Sequence, residues 1–212
     1  MDLFLASTAV IDWKHPDVEA LAKSLRRGAD DPVIIARRCF EWVRDEIKHS
    51  RDYRLSPVPC TASEVLQAGS SFCYGKSHLL AALLRANGLP TGLCYQRLSR
   101  DDNGAPYSLH GLSAVHLPEV GWYRMDPRGN RPGVNAQFIP PTEQLAFPIA
   151  LPGEADLPEI WPEPLPIVIQ TIRAHATAES LWENLPDIEL WTTKTTEDTL
   201  GSIATKRAGG SM

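Results

Sequence analysis

The chain has 212 residues, 43% of them hydrophobic and 22% charged, with a formal net charge of −5. This composition fits a soluble globular protein with one sizeable core. The acidic balance and the scattered Lys and Arg argue against nucleic acid as a partner, because phosphate binding needs a basic surface.

In chain order, the first expected helix starts near Pro16 in HPDVEALAKSLRRG, with Val18, Leu21, Ala22 and Leu25 on one face and Gly28 closing it. Asp30-Asp31-Pro32 is a second start signal, and Ala36, Phe40, Val43 and Ile47 form the apolar stripe of the helix that follows, to about Lys48. Thr61-Ala-Ser-Glu64 is a capping-box pattern opening a short helix. Leu79, Leu80, Leu83 and Leu84 recur at helical spacing after Cys73, and Gly88 and Pro90 end that run. Beyond Gly88 the period changes. Thr91 to Leu98 reads as a strand, and Ser108 to Leu117 and Trp122 to Met125 as two strands joined through Pro118–Gly121. Helices followed by antiparallel strands predict an α+β domain. The stretch from Arg128 to Pro166 is proline-rich and predicts an extended arm, with a last helix around Thr171 to Leu185. The expected organisation is a core with N-terminal helices over residues 1–135, a Pro-rich extension packed on it over 136–191, and a flexible tail over 192–212.

No segment approaches the roughly 18 apolar residues of a membrane span, and MDLFLASTAVIDW has neither a basic leader nor a clear cleavage site. A cytoplasmic protein with no membrane contact is the expectation. The four cysteines lie far apart with no C-x-x-C pair, so neither a zinc site nor a disulfide framework is expected.

Cys73 opens its helix. A thiol there faces unpaired backbone N–H groups and the positive end of the helix dipole, which favour thiolate, and the same groups suit a developing oxyanion. The bland alternative is a small buried hydrophobe, the reading given to Cys39, Cys60 and Cys94. A thiolate mechanism also needs a base and an orienting group. His15, His49 and His175 are not specially placed, and His78 points to another side of the Cys73 helix. His110 and His116 share one strand. His116 lies beside the Pro118–Gly121 turn, roughly 20 Å from His110 at about 3.3 Å per residue. Asp126 ends the returning strand at the open end of the hairpin, where only His110 can meet it.

These pieces resemble the transglutaminase-like superfamily of cysteine enzymes. The shared pattern is a cysteine opening a helix that runs into LLRANGLP (83–90), then a histidine at the start of a strand, then GWYRMDP (121–127) ending on the aspartate. The resemblance covers about Asp31 to Pro132. It implies a papain-like α+β core, with the Cys73 helix packed on an antiparallel sheet that supplies His110 and Asp126. It also implies acyl transfer through a Cys73 thioacyl intermediate. No calcium-binding loop pattern is visible, and no cofactor or metal is expected. The chain departs from the family at Ser71, where many members have glycine, and at Gly111-Leu112, where many have a small residue and tryptophan. Both positions alter the walls of the site, so a substrate does not carry over.

The expected function is therefore a peptidase or amidase, or a protein-crosslinking acyltransferase, acting on a peptide, protein or small amide or ester. The alternative is a catalytically silent binding or scaffold module on the same fold. Tyr74 and Trp122 are expected to line the acyl pocket, with core packing the competing role for Trp122. Arg128 either binds a substrate carboxylate or pairs with an acid. The Pro-rich arm follows Asp126 directly and is a candidate lid or substrate-selecting wall.

Overall fold

The computed structural model describes residues 1–175 and 177–190, and the tail expected from residue 192 lies outside them. Local signals start the helices. α1 (Pro16–Arg26) and α2 (Pro32–Glu46) both begin on proline, and Asp31 accepts from the Val33 N–H at 2.8 Å. β1 (Lys48–His49) and α3 (Ser50–Tyr53) follow. α4 (Ala62–Ala68) carries the complete capping box, with the Glu64 N–H donating to Thr61 Oγ1 at 3.2 Å and the Thr61 N–H to Glu64 Oε2 at 2.9 Å. β2 (Ser70–Ser71) pairs in parallel with β1, setting His49 opposite Ser71.

α5 (Cys73–Ala86) is the central element, and every residue from Cys73 to Arg85 is buried. It packs between α1, α2 and α4 on one side and the sheet on the other, so it is apolar nearly all round. Its few polar side chains are each met by backbone carbonyls, as burial requires. Lys76 donates to the carbonyls of Arg44 and Ile47, Ser77 to that of Cys73, and His78 Nδ1 lies 2.7 Å from that of Cys60.

β3 (Thr91–Ser99), β4 (Tyr107–Leu117) and β5 (Gly121–Met125) form the antiparallel sheet. The proline-rich arm is extended but not featureless. β6 (Gln137–Ile139) and β7 (Thr142–Gln144) make a small hairpin, and β8 (Ala155–Asp156) extends the sheet to the order β5-β4-β3-β8. The single helix expected around Thr171 to Leu185 is instead two short ones, α6 (Pro166–Ala174) and α7 (Ala178–Glu183). Thr177 starts α7 afresh by accepting from the Ser180 N–H, so the stripe is interrupted by a new cap. The result is an α+β fold with α5 and its neighbouring helices packed on an antiparallel sheet.

Candidate active site

The site forms where β5 stops and β4 does not. Pairing of the two strands ends at Ser113 opposite Met125, while β4 extends back to Tyr107. The N–H groups of Gly111 and Leu109 lack a β5 partner. The Gly111 N–H instead meets the sulfur of Cys73 at 3.5 Å, and that of Leu109 donates to the Pro186 carbonyl at 2.7 Å. The N-terminus of α5 thus fills the place of the missing strand. Phe72 caps that helix without a side-chain acceptor, which leaves the N–H groups of the first turn facing the sulfur's surroundings.

His110 and Asp126 come from the two strands at this point. Asp126 lies one residue beyond β5, in the position opposite Leu112, so it and His110 are diagonal neighbours on one face. His110 Nε2 and Asp126 Oδ2 are 2.7 Å apart. Asp126 is fully buried and also accepts from the N–H groups of Arg128 at 3.0 Å and Ala146 at 3.2 Å. Burial alone would raise its pKa. The charge and hydrogen bond of His110, with the two N–H donors, reverse this and hold the carboxyl below its usual range. Burial likewise works against His110, but Asp126 and the hydrogen-bonded Cys73 push its pKa up to about 10. With Nε2 committed to Asp126, Nδ1 is the ring nitrogen left for the sulfur. Phe147 closes over the ring edge-on, 5.1 Å between centroids.

A cleft of about 450 Å³ opens beside Cys73 and His110. The structure therefore brings together Cys73, His110 and Asp126, the last reached through His110. The other thiols are buried core groups, with burial pushing Cys39 and Cys94 up to about 12 and Cys60 up to about 11.

Two expectations about the pocket are corrected. Tyr74 does not line the cleft. Its ring turns under Gly111, and its hydroxyl donates to the Leu109 carbonyl at 2.5 Å. Trp122 is remote because it pairs with His116 at the closed end of the hairpin and packs on that ring and on Phe4. Arg128 pairs with an acid, contacting both oxygens of Asp52 at 2.6 and 3.0 Å.

The departures from the family pattern have local reasons. A Cβ at Gly111 would come within 2.8 Å of the Tyr74 ring. A Cβ at Gly75 would come within 2.1 Å of Ser71 Oγ, so the hydroxyl of Ser71 occupies space that Gly75 leaves open. Sequence reasoning passed over His49 and Phe147. His49 reaches the cleft only because β1 pairs with β2, and it stacks against Phe72 at 5.2 Å. Burial first, then Arg128, Lys76 and His110, hold its pKa well below the ordinary value, and among the described residues its Nδ1 has no hydrogen-bond partner. Phe147 lies twenty-one residues beyond Asp126 in an arm with no regular pattern.

A helix-terminal cysteine beside an imidazole–carboxylate pair on adjoining strands, in this α+β setting, marks a fold of the papain-like cysteine enzymes. The chain belongs to the transglutaminase-like superfamily, whose family model matches residues 19–127. Among solved structures it is similar to a candidate cysteine protease from Cytophaga hutchinsonii, at 15% identity and a TM-score of 0.48 over 59% of this chain and 40% of that one. It is also similar to the periplasmic domain of TgpA from Pseudomonas aeruginosa, at 26% identity and a TM-score of 0.40 over 53% of this chain and 42% of that one. The chain spans about two fifths of the length of both structures. No curated protein matches it.

Proposed function

We propose that the chain is a cysteine acyl-transfer enzyme in which Cys73 is the nucleophile, His110 the general acid and base, and Asp126 the residue that orients His110. The observation that carries this reading is the buried His110–Asp126 hydrogen bond on the strand whose next residue, Gly111, turns its N–H to the Cys73 sulfur. A fully buried carboxylate and a buried imidazole are costly unless they are paired and used, and here they converge on a thiol facing a cleft.

In the proposed cycle the Cys73 sulfur attacks the carbonyl carbon of an amide or ester, forming a C–S bond. The negative oxygen is stabilised by the N–H groups at the start of α5. The tetrahedral adduct collapses, its C–N or C–O bond breaks, and the leaving group takes the proton held on His110 Nδ1. A second nucleophile then attacks the thioester, giving its proton to His110 as the C–S bond breaks and the thiolate is restored. The cleft is open, so water is the default acceptor and hydrolysis the favoured outcome. An amine acceptor would make the same intermediate a crosslinking reaction.

The test is alkylation of each cysteine by iodoacetamide near neutral pH, followed by peptide mass spectrometry, in the wild type and in His110→Ala. Cys73 should react alone among the four and slow by about tenfold or more in the variant. A p-nitrophenyl ester should also leave a mass adduct on Cys73. A folded protein whose Cys73 neither outpaces the other thiols nor responds to His110 would overturn the reading in favour of a silent module.

A further inference from the structure

The cleft beside Cys73 carries more positive charge than acyl transfer requires. Four guanidinium groups line it, those of Arg51, Arg100, Arg128 and Arg131, against the carboxylates of Asp102 and Glu154, in a chain whose net charge is −5. Arg128 is neutralised by Asp52. Glu154 is engaged as well, accepting from the N–H groups of Ser99, Ala150 and Leu151 at 2.9 Å each. Among the described residues the Arg100 guanidinium donates only to the carbonyls of Trp182 and Glu183 and meets no carboxylate. Arg51 lies over the ring of Trp182, 3.0 Å from Cζ to the centroid, and its guanidinium makes no hydrogen bond among the described residues. The nearest acid to Arg131 is Asp52, 3.9 Å away and already held by Arg128.

These cations crowd one another. Burial, then Arg100, and more weakly Arg131, lower the pKa of Arg51, while Asp52 and Asp101 act in the opposite sense. Like charges gathered around one opening are a cost that an anionic ligand relieves. The guanidinium fork matches a planar carboxylate, and with Arg128 neutralised by Asp52 the three remaining guanidinium groups exceed the two lining carboxylates by one, which suits a singly charged partner better than a phosphate dianion. Phe147, Leu151 and Leu185 provide an apolar wall for the stem that carries the charge.

We propose that the cleft selects acyl donors bearing a carboxylate, with Arg51, Arg100 and Arg131 as the subsite that holds it. This specificity rests on the acyl-transfer reading of Cys73. The neighbouring arm, through Phe147 and Leu151, then serves as a substrate-selecting wall.

The experiment compares the rates at which two α-amides, N-chloroacetyl-glutamate and N-chloroacetyl-glutamine, alkylate Cys73 in the full chain. The probes differ by one carboxylate. The glutamate probe should react about five- to tenfold faster, a preference of roughly 1 kcal/mol that shrinks as salt rises. Arg51→Gln combined with Arg131→Gln should bring the ratio close to one, while Arg26→Gln, on α1 outside the cleft, should leave it as in the wild type. Equal rates in the wild type, or a preference untouched by the double substitution, would overturn the proposal. A phosphoserine probe that outpaces the glutamate one would overturn the choice of carboxylate. The charge preference can be measured even if Cys73 proves an ordinary thiol. A failure of the enzyme reading, seen with iodoacetamide and His110→Ala, is thereby separate from a failure of the subsite.

Discussion

At the scale of single residues, the balance at Asp126 sets the charge of the proposed site. Its carboxylate is taken fully out of water, and three donors compensate for the loss. Its charge in turn keeps His110 protonated well above the ordinary imidazole range. Asp126→Asn removes the charge and leaves the shape. The imidazolium then gives up its proton at lower pH, so amide turnover should lose its alkaline range, below the limit near pH 10 expected for the wild type. kcat should fall by about a hundredfold or more. A pH–kcat profile identical to wild type would show that Asp126 is a turn acid and nothing else. The pair also bears on stability. The raised His110 contributes stability that is present below its unfolded pKa and lost as pH rises through about 10. The lowered Asp126 contributes stability that is present above its unfolded pKa and lost as pH falls.

At the scale of elements, the site depends on how closely α5 docks on its neighbours. Gly75 is the contact point with β2, where a Cβ would meet Ser71 Oγ at 2.1 Å and Val65 Cγ2 at 2.9 Å. Gly75→Ala gains helix propensity but overpacks the junction that aims Cys73. It should lower unfolding free energy by about 1–3 kcal/mol in urea titrations. Ser71→Gly in the same chain should recover part of that loss, although it removes the hydroxyl's bond to the Pro59 carbonyl. Strict additivity of the two substitutions would contradict the packing argument.

At the scale of the whole molecule, Arg85 ties three distant segments together. Its buried guanidinium donates to the carbonyls of Ala6, Thr91 and Pro162, joining the N-terminal segment, the sheet and the arm without an acidic hydrogen-bond partner among the described residues. Arg85→Met preserves the stem and strands those carbonyls, so unfolding free energy should drop by about 3 kcal/mol or more, measured by urea denaturation. A loss within error would mean the carbonyls find other donors. Acid lability should be global too. Burial holds His78 down to about 4, so the neutral ring is favoured in the fold. The unfolded chain binds the extra proton as pH falls from about 6.5 to about 4, and stability is lost across that window. Between about pH 7 and about pH 4.5 the cost from this residue is roughly 2–3 kcal/mol, and His78→Gln should flatten the pH dependence of stability by that amount.

What the sequence determined by itself was whatever rests on near neighbours along the chain. Asp31 before Pro32, and Thr61 with Glu64, start helices through contacts within one turn, and both starts stand in the structure. The hairpin turn at Pro118–Gly121 was equally local, and it separated His110 from His116 by simple strand length. The order of cysteine, histidine and aspartate, with LLRANGLP between them, was enough to point to the family. Only the tertiary structure decided what surrounds Cys73. His49 arrives through a two-residue parallel pairing, Phe147 through an arm without periodicity, and Trp182 through a short helix over a hundred residues from the sulfur. Tyr74 and Trp122, adjacent in sequence or strand to the chemistry, turn to other faces. The physical reason is range. Capping and periodicity act over a few residues and leave a pattern in the chain, whereas a cleft wall is assembled by backbone pairing and core packing between segments that carry no mark of one another.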